Sequence, residues 1–385
     1  MTVSQHTTRQ ATAIFVNSFG EGGAEKLAVY QANGLIAAGD DVDIIVELDK
    51  GSYRAFLHPD VRVISFDSKS PFTVLFKLLG YLRATPPTAL LCHLEKPALI
   101  AIVAGLLCGY RKIIPILEVN LDSYAKLDHQ WRRQFLKLLL AVFYRLAPRI
   151  ISVSHGCTAS LSKLLGAHAK NIVTIYNGFD LDHLRRSSRQ PVDNPLITQK
   201  KKPIFISAGR FAPQKDFQHL IRAFAKVRQE KDCSLIILGE GALRPELERL
   251  ALELGVQADV HLPGHQPNPQ AWFGKCEAYV MSSKAEGLAS VLLEALASGT
   301  RLVSTDCPSG PAEIIQYDKY GKLVPLNDVD ALAAAMLGVL DNSKPAPTSQ
   351  EDVQAYLDRV FSFAQMMTAY RTVVRTVSAG APPAA

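Results

Sequence analysis

Short apolar runs and amphipathic stretches alternate along most of the chain. Residues 11–17 read as a buried strand. The segment SFGEGGAEKLAVYQANGLIAAGDDVDIIV then reads as loop, helix and second strand. Strands are predicted over 61–66, 89–92 and 113–117. A helix over 72–84 and another within CHLEKPALIAIVAGLLC separate them, and strands over 150–154 and 172–177 follow. This alternation predicts a parallel sheet with helices on its faces. From 182 to 202 the chain turns polar, basic and proline-containing without apolar periodicity, which marks a linker. The pattern then restarts with PIFISAGRFAPQKDFQHLIRAFAKV, again strand, loop, helix, and with strands over 234–238 and 259–262. Apolar residues 279–281 make another strand. Val291, Leu292, Ala295 and Leu296 recur at helical spacing, Gly299 stops that helix, and Leu302 and Val303 start the next strand. The segment VQAYLDRVFSFAQMMTAYRTVVRTV is amphipathic and helical, while residues 1–10 and 379–385 are expected to be frayed. The resulting division is 1–181, linker 182–202, 203–360, and a helix and tail over 361–385.

Composition narrows the class. With 48% hydrophobic and 20% charged residues in 385, the chain is globular and long enough for two cores. The net charge of +6 is modest and spread out. It suits anionic substrates or a phospholipid surface, and no nucleic-acid motif is present. Six cysteines are scattered with no Cys-x-x-Cys. They read as small buried residues in a reducing compartment, without a disulfide framework or metal site. No secretory signal or bilayer-spanning run is seen, so a cytoplasmic protein is expected. One stretch qualifies that picture. Phe135, Leu138, Leu139, Val142, Phe143 and Leu146 form a broad face fringed by Trp131, Arg132, Arg133, Lys137 and Arg145. It reads either as a core-facing helix or as a helix over 131–146 lying on the cytoplasmic face of the inner membrane.

Candidate chemistry concentrates in YVMSSKAEGLASVLLEALASGTRLVSTDCPSGPAE, a strand, a small polar loop and a helix. Glu286 and Glu294 flank the helix start. The helix N-terminus presents unpaired amides near Leu288, Ala289, Ser290 and Val291, suited to an anion. A dinucleotide-binding fold is disfavoured. Gly20-x-Gly22 has Glu25 where the third glycine belongs, and Gly239-x-Gly241 has Arg244.

The Glu-x7-Glu pattern at Glu286 and Glu294 resembles the donor site of the retaining glycosyltransferases of family 4. The resemblance implies a GT-B fold: α/β, two Rossmann-like parallel-sheet domains facing across a cleft. It covers nearly the whole chain. Gly209, Arg210 and Lys215 match the family's Gly-Arg-x4-Lys loop, where cations take the place of a metal on the donor diphosphate. By the same likeness Glu286 lies beside the donor sugar hydroxyls and Glu294 accepts from the ribose diol. Gly22 and Gly23 belong to the first-loop motif, and Gly287 allows close backbone approach. Gly241 borders the nucleotide, and the backbone near His265 reads the base. Glu118 and Asn120 at a sheet edge, and His93, are acceptor-side candidates. Relatives often carry Glu-His-Asn where this chain has Val119, so no histidine acid or base is assigned there. The implied donor is a nucleotide sugar of the UDP-linked kind, with no cofactor. The implied acceptor is a saccharide or polyprenyl-pyrophosphate-linked glycan of bacterial cell-surface polysaccharide synthesis. The alternatives are a GT-B epimerase, exposed by product formation from donor alone, and a non-catalytic nucleotide-sugar-binding protein, exposed by binding without turnover. Oligomeric state is not legible.

Overall fold

The computed structural model describes residues 10–20, 22–124, 130–341 and 349–380. The remaining parts of the expected frayed ends, 1–9 and 381–385, lie outside those residues. The first lobe runs β1 (Thr12–Val16), α1 (Gly23–Ala37), β2 (Val42–Val46), β3 (Arg62–Ser65), α2 (Pro71–Ala84), β4 (Leu90–His93), α3 (Glu95–Cys108) and β5 (Ile113–Leu117). It continues through α4 (Leu121–Tyr124), α5 (Gln130–Phe143), β6 (Ile150–Ser152), α6 (His155–Leu165) and β7 (Ile172–Thr174). The seven strands pair in the order β3-β2-β1-β4-β5-β6-β7, all parallel. Right-handed crossovers put α1 on one face and α2, α3, α5 and α6 on the other.

The segment expected to be an irregular linker carries two short helices, α7 (Leu181–Ser188) and α8 (Pro195–Thr198). Asp180 accepts from the His183 amide and Asn194 from the Leu196 amide, so each helix has a side-chain cap. Leu181 and Leu184 bury one side of α7 against the second lobe. Two apolar residues three apart are too few to register as a periodicity.

The second lobe runs β8 (Ile204–Ala208), α9 (Phe217–Glu230), β9 (Ser234–Leu238), α10 (Arg244–Glu253), β10 (Val260–His261), α11 (Pro269–Phe273) and β11 (Ala278–Met281). Then come α12 (Ser290–Ala297), β12 (Arg301–Thr305), α13 (Pro311–Ile315), β13 (Lys322–Val324) and α14 (Val329–Leu340). Its six strands are also parallel, in the order β10-β9-β8-β11-β12-β13. Successive strand residues feed opposite faces: Ile206 and Tyr279 pack on one side, Phe205 and Val280 on the other. Both faces are covered, so these strands read as continuous apolar runs.

The chain ends in α15 (Gln350–Phe361) and α16 (Phe363–Ser378). The sequence read as one amphipathic stretch breaks at Ser362, whose hydroxyl caps α16 by accepting from the Gln365 amide. There the chain pairs with Phe179, whose amide donates to Phe361 and whose carbonyl accepts from Phe363. Beyond that pairing α16 packs against α1, and Arg371 pairs with Asp40 at 3.2 Å, returning the terminus to the first lobe.

Candidate active site between the lobes

In an open parallel sheet, ligands bind beyond the carboxyl ends of the strands where strand order reverses. Those points fall between β1 and β4 in the first lobe and between β8 and β11 in the second. The loops leaving these four strands carry most of the candidate residues.

The loop after β8 is fastened to the loop after β11. Ser282 donates to the Lys215 carbonyl at 2.8 Å, the Lys284 amide to Gln214 at 2.9 Å, and Gln214 to Ala285 at 2.6 Å. Held this way, the Lys215 ammonium lies 2.7 Å from Glu286 Oε1. Glu286 is 9% exposed. Arg210, at the start of the same loop, is exposed and forms no ion pair among the described residues. Gly209, immediately before it, donates its amide to Leu238 at 2.9 Å. Gly241 follows β9 beside that loop, close enough to Phe211 that a side chain there would strike its carbonyl. His265 is exposed in the loop after β10.

Leu288 and Ala289 are buried, and Ala289 takes a left-handed conformation (φ 63°) that turns the chain into α12, which opens at Ser290. Glu294 lies one turn further along. It is 7% exposed and accepts from Gln270 Nε2 at 2.8 Å. From the opposite lobe the Lys26 ammonium, on α1, comes within 3.7 Å of Glu294. Burial alone would pull that ammonium's pKa down. The Glu294 carboxylate, with Tyr30 and Tyr53, outweighs burial and holds it above its ordinary value. Gly22 caps α1 and Gly23 is its first residue, so both sit at the same loop. Lys26 and Gln270 were not singled out in the sequence.

The lobes meet close to these carboxylates. Ser154 of the first lobe donates to the Gly287 carbonyl at 2.7 Å, while within the second lobe Ser309 donates to the Glu286 carbonyl at 2.7 Å. A side chain at Gly287 would strike the Glu118 carbonyl at 1.9 Å. The close approach that requires glycine there is therefore to the other lobe. Glu313, at the start of α13, spans the same seam. Its Oε2 accepts from the His155 amide and the Tyr176 hydroxyl, both at 2.8 Å, and its Oε1 accepts from the Gly156 amide at 2.9 Å. A carboxylate of one lobe thus caps helix α6 of the other.

Two of the acceptor-side candidates are enclosed. His93 is fully buried, with Nδ1 2.7 Å from Glu118 and Nε2 2.9 Å from Gln31, so it holds the Glu118 carboxylate in place. Asn120 is 4% exposed, donates to Gly156 at 3.2 Å and accepts from the Asp122 amide. It ties the loop after β5 to α6. Glu118 remains at the seam with its side chain 10% exposed.

Among the described residues no three His, Cys, Asp or Glu side chains are grouped to hold a metal ion. An apolar hollow of about 760 Å³ between β13, α14 and α15 contains none of the charged side chains above, so the seam's charges, rather than that hollow, define the candidate site.

Known proteins resemble this chain over most of its length. The profile of glycosyltransferase family 4 matches residues 21–183, and that of the glycosyl transferases group 1 matches residues 189–354. An uncharacterized glycosyltransferase of Methanocaldococcus jannaschii is 30% identical over 312 residues, covering 72% of this chain and 76% of that protein. The N-acetylgalactosamine-N,N'-diacetylbacillosaminyl-diphospho-undecaprenol 4-alpha-N-acetylgalactosaminyltransferase of Campylobacter jejuni is 28% identical over 346 residues, 87% of this chain and 91% of its own. Among solved structures, Anabaena Alr3699/HepE in complex with UDP superposes with a TM-score of 0.79 at 18% identity, over 95% of this chain and 100% of its own. The chain belongs to the group 1, family 4 glycosyltransferases and has the GT-B fold.

Proposed function

We propose that this glycosyltransferase moves a sugar, with retention of anomeric configuration, from a UDP-sugar to a saccharide or polyprenyl-pyrophosphate-linked glycan. The context is bacterial cell-surface polysaccharide synthesis at the cytoplasmic face of the inner membrane. The observation that carries this reading is the Lys215 ammonium held 2.7 Å from the buried Glu286, beside the start of α12. The Campylobacter relative is named for a diphospho-undecaprenol acceptor and the Anabaena structure contains UDP, which support the two substrate classes.

In this reading Arg210, Lys215 and the amides from Leu288 to Ser290 meet the donor diphosphate. Glu286 accepts from hydroxyls of the transferred sugar. Glu294 exchanges its Lys26 and Gln270 partners for the ribose diol, an acceptor-only role suited to a carboxylate. Gly22, Gly23, Gly209 and Gly241 keep the surrounding loops close, and the backbone at His265 reads the base. In the transfer the bond from the anomeric carbon to the diphosphate oxygen breaks. The acceptor oxygen bonds on the same face, and its proton passes to the departing phosphate. Charge building on that phosphate is met by the guanidinium, the ammonium and the helix amides. The scheme requires no protein nucleophile, metal or cofactor.

A thermal-shift screen of nucleotide sugars, followed by mass spectrometry of a lipid-linked acceptor, tests the reading. One sugar added per acceptor supports it. Conversion of donor alone, or binding without turnover on any acceptor, rejects it.

A further inference from the structure

A row of buried polar side chains runs through the first lobe and ends at Glu118. Tyr370 of α16, Gln31 of α1 and His93 at the end of β4 are each no more than 1% exposed, and Glu118 directly follows β5. His93 Nδ1 meets Glu118 Oε1, and His93 Nε2 meets the Gln31 amide. With the oxygen of that amide toward His93, its nitrogen is left toward the Tyr370 hydroxyl, and both of those groups are enclosed without a partner. Two unsatisfied buried polar groups are costly, whereas the two ends of an amide are alike in shape, so its partners decide which way it faces. Turned over, Tyr370 donates to Gln31 Oε1, Gln31 Nε2 donates to His93 Nε2, and the imidazole donates its single proton from Nδ1 to Glu118. Every member is then paired, and the chain of donors stops at a carboxylate that can only accept.

The second oxygen of Glu118 has no such tie. Oε2 accepts no hydrogen bond from the described residues, and the side chain is 10% exposed at the seam. The Glu118 carbonyl abuts Gly287, the residue after Glu286, so this oxygen stands on the first-lobe side of the cleft, against the loop that carries Glu286. The surroundings are acidic. Glu95, at the start of α3, has its carboxyl pushed up, chiefly by burial, against the pull of its own amide and with the charge of Glu118 adding to the rise. Lys96, the next residue, is turned to Glu47 at 2.8 Å. Oxygens that only accept, without a free cation beside them, suit a ligand that presents hydroxyl groups and no negative charge.

We propose that Glu118 Oε2 accepts a hydrogen bond from the acceptor sugar, from a hydroxyl next to the one that reacts, and that Tyr370, Gln31 and His93 are the positioning residues that aim it. The reacting hydroxyl keeps its own proton for the departing phosphate, so Glu118 orients the acceptor ring and takes no proton. The inference rests on the transferase reading, which UDP binding by the wild type tests by itself. The relay is tested without substrate. Nitrogen-15 spectra of histidine-labelled protein should show His93, assigned by its displacement in Glu118→Gln, as the Nδ1–H tautomer; an Nε2–H tautomer or an imidazolium there overturns the relay. The contact is tested by kcat/KM on the lipid-linked acceptor that the mass-spectrometric screen shows to be extended, and on its monodeoxy analogues. In Glu118→Gln the side-chain oxygen keeps His93 and an amide nitrogen turns to the cleft, so kcat/KM should fall about tenfold or more with UDP affinity and thermal unfolding unchanged. One deoxy analogue should lose as much in the wild type and nothing further in the variant. Tyr370→Phe should lower kcat/KM by a smaller factor on the parent acceptor and leave it unchanged on that analogue, a distinction that a merely structural role would not produce. Wild-type kcat/KM in Glu118→Gln, equal further loss on every analogue, or weakened UDP binding, which would put the carboxylate on the donor, overturns the proposal.

Discussion

Glu313→Gln isolates the fastening between the lobes. The carboxylate accepts three hydrogen bonds from the first lobe, from the His155 and Gly156 amides and the Tyr176 hydroxyl, all between 2.8 and 2.9 Å. Gln keeps the size but offers one oxygen, so its NH2 group must face one of the donors. An anion at a partly buried helix N-terminus is worth up to about 2 kcal/mol. Hydrogen bonds to charged groups contribute about 1.5–3 kcal/mol each net of exchange with water, less where the site is partly open. Because the separated lobes would be hydrated, we take a net loss of about 2 kcal/mol, roughly a 30-fold shift toward opening. The assay pairs solution scattering without ligand with steady-state kinetics. The expected outcome is a larger radius of gyration, a lower kcat/KM and near-normal unfolding of each lobe. Tyr176→Phe should act in the same direction and more weakly. The double variant should cost less than the sum because the two share one contact. Unchanged scattering and kinetics in Glu313→Gln, or strict additivity with Tyr176→Phe, would refute the reasoning.

Lys215→Ala or Glu294→Ala should reduce turnover by about two to three orders of magnitude while leaving thermal unfolding close to wild type; full activity in either would remove that residue from the site. Gly287→Ala puts a methyl group 1.9 Å from the Glu118 carbonyl, so activity should fall through failed lobe closure, and a wild-type kcat/KM would show that the seam opens freely. Asp259 lies between Arg228, at 2.7 Å, and Lys202. Burial pushes its carboxyl up, but the two cations outweigh that and hold it below the ordinary 3.8. Its folded pKa is depressed, so the stabilisation is present above pH 3.8 and disappears as pH falls through the folded value. Asp259→Asn should therefore lower the unfolding temperature at neutral pH and lose that deficit in acid, whereas a deficit independent of pH would assign the effect to packing.

The sheets were legible because both faces of each strand are covered: runs such as IFISA and SLIIL can be little else between amphipathic helices. Gly299, in the left-handed region at φ 78°, ends α12 where its position predicts. Lys215 and Glu286 were readable as a pair because motif spacing fixed which loops carry them. The partners of that site were not. Lys26 reaches Glu294 from another lobe, Glu313 reaches His155 across 158 positions, and His93 is withdrawn under Glu118 by Gln31, 62 positions away. Such contacts depend on how the lobes dock, which leaves no local periodicity. α7 and the break at Ser362 were missed for a different reason, since a cap and two buried leucines are a weak signal inside a polar stretch.

Calorimetric titration of UDP into the wild-type protein, Arg210→Ala and Lys215→Ala tests the central claim most directly. The account predicts saturable binding by the wild type at one site, weakened about tenfold or more by either substitution with the fold intact. Equal affinity in all three proteins would place the diphosphate somewhere other than between these lobes.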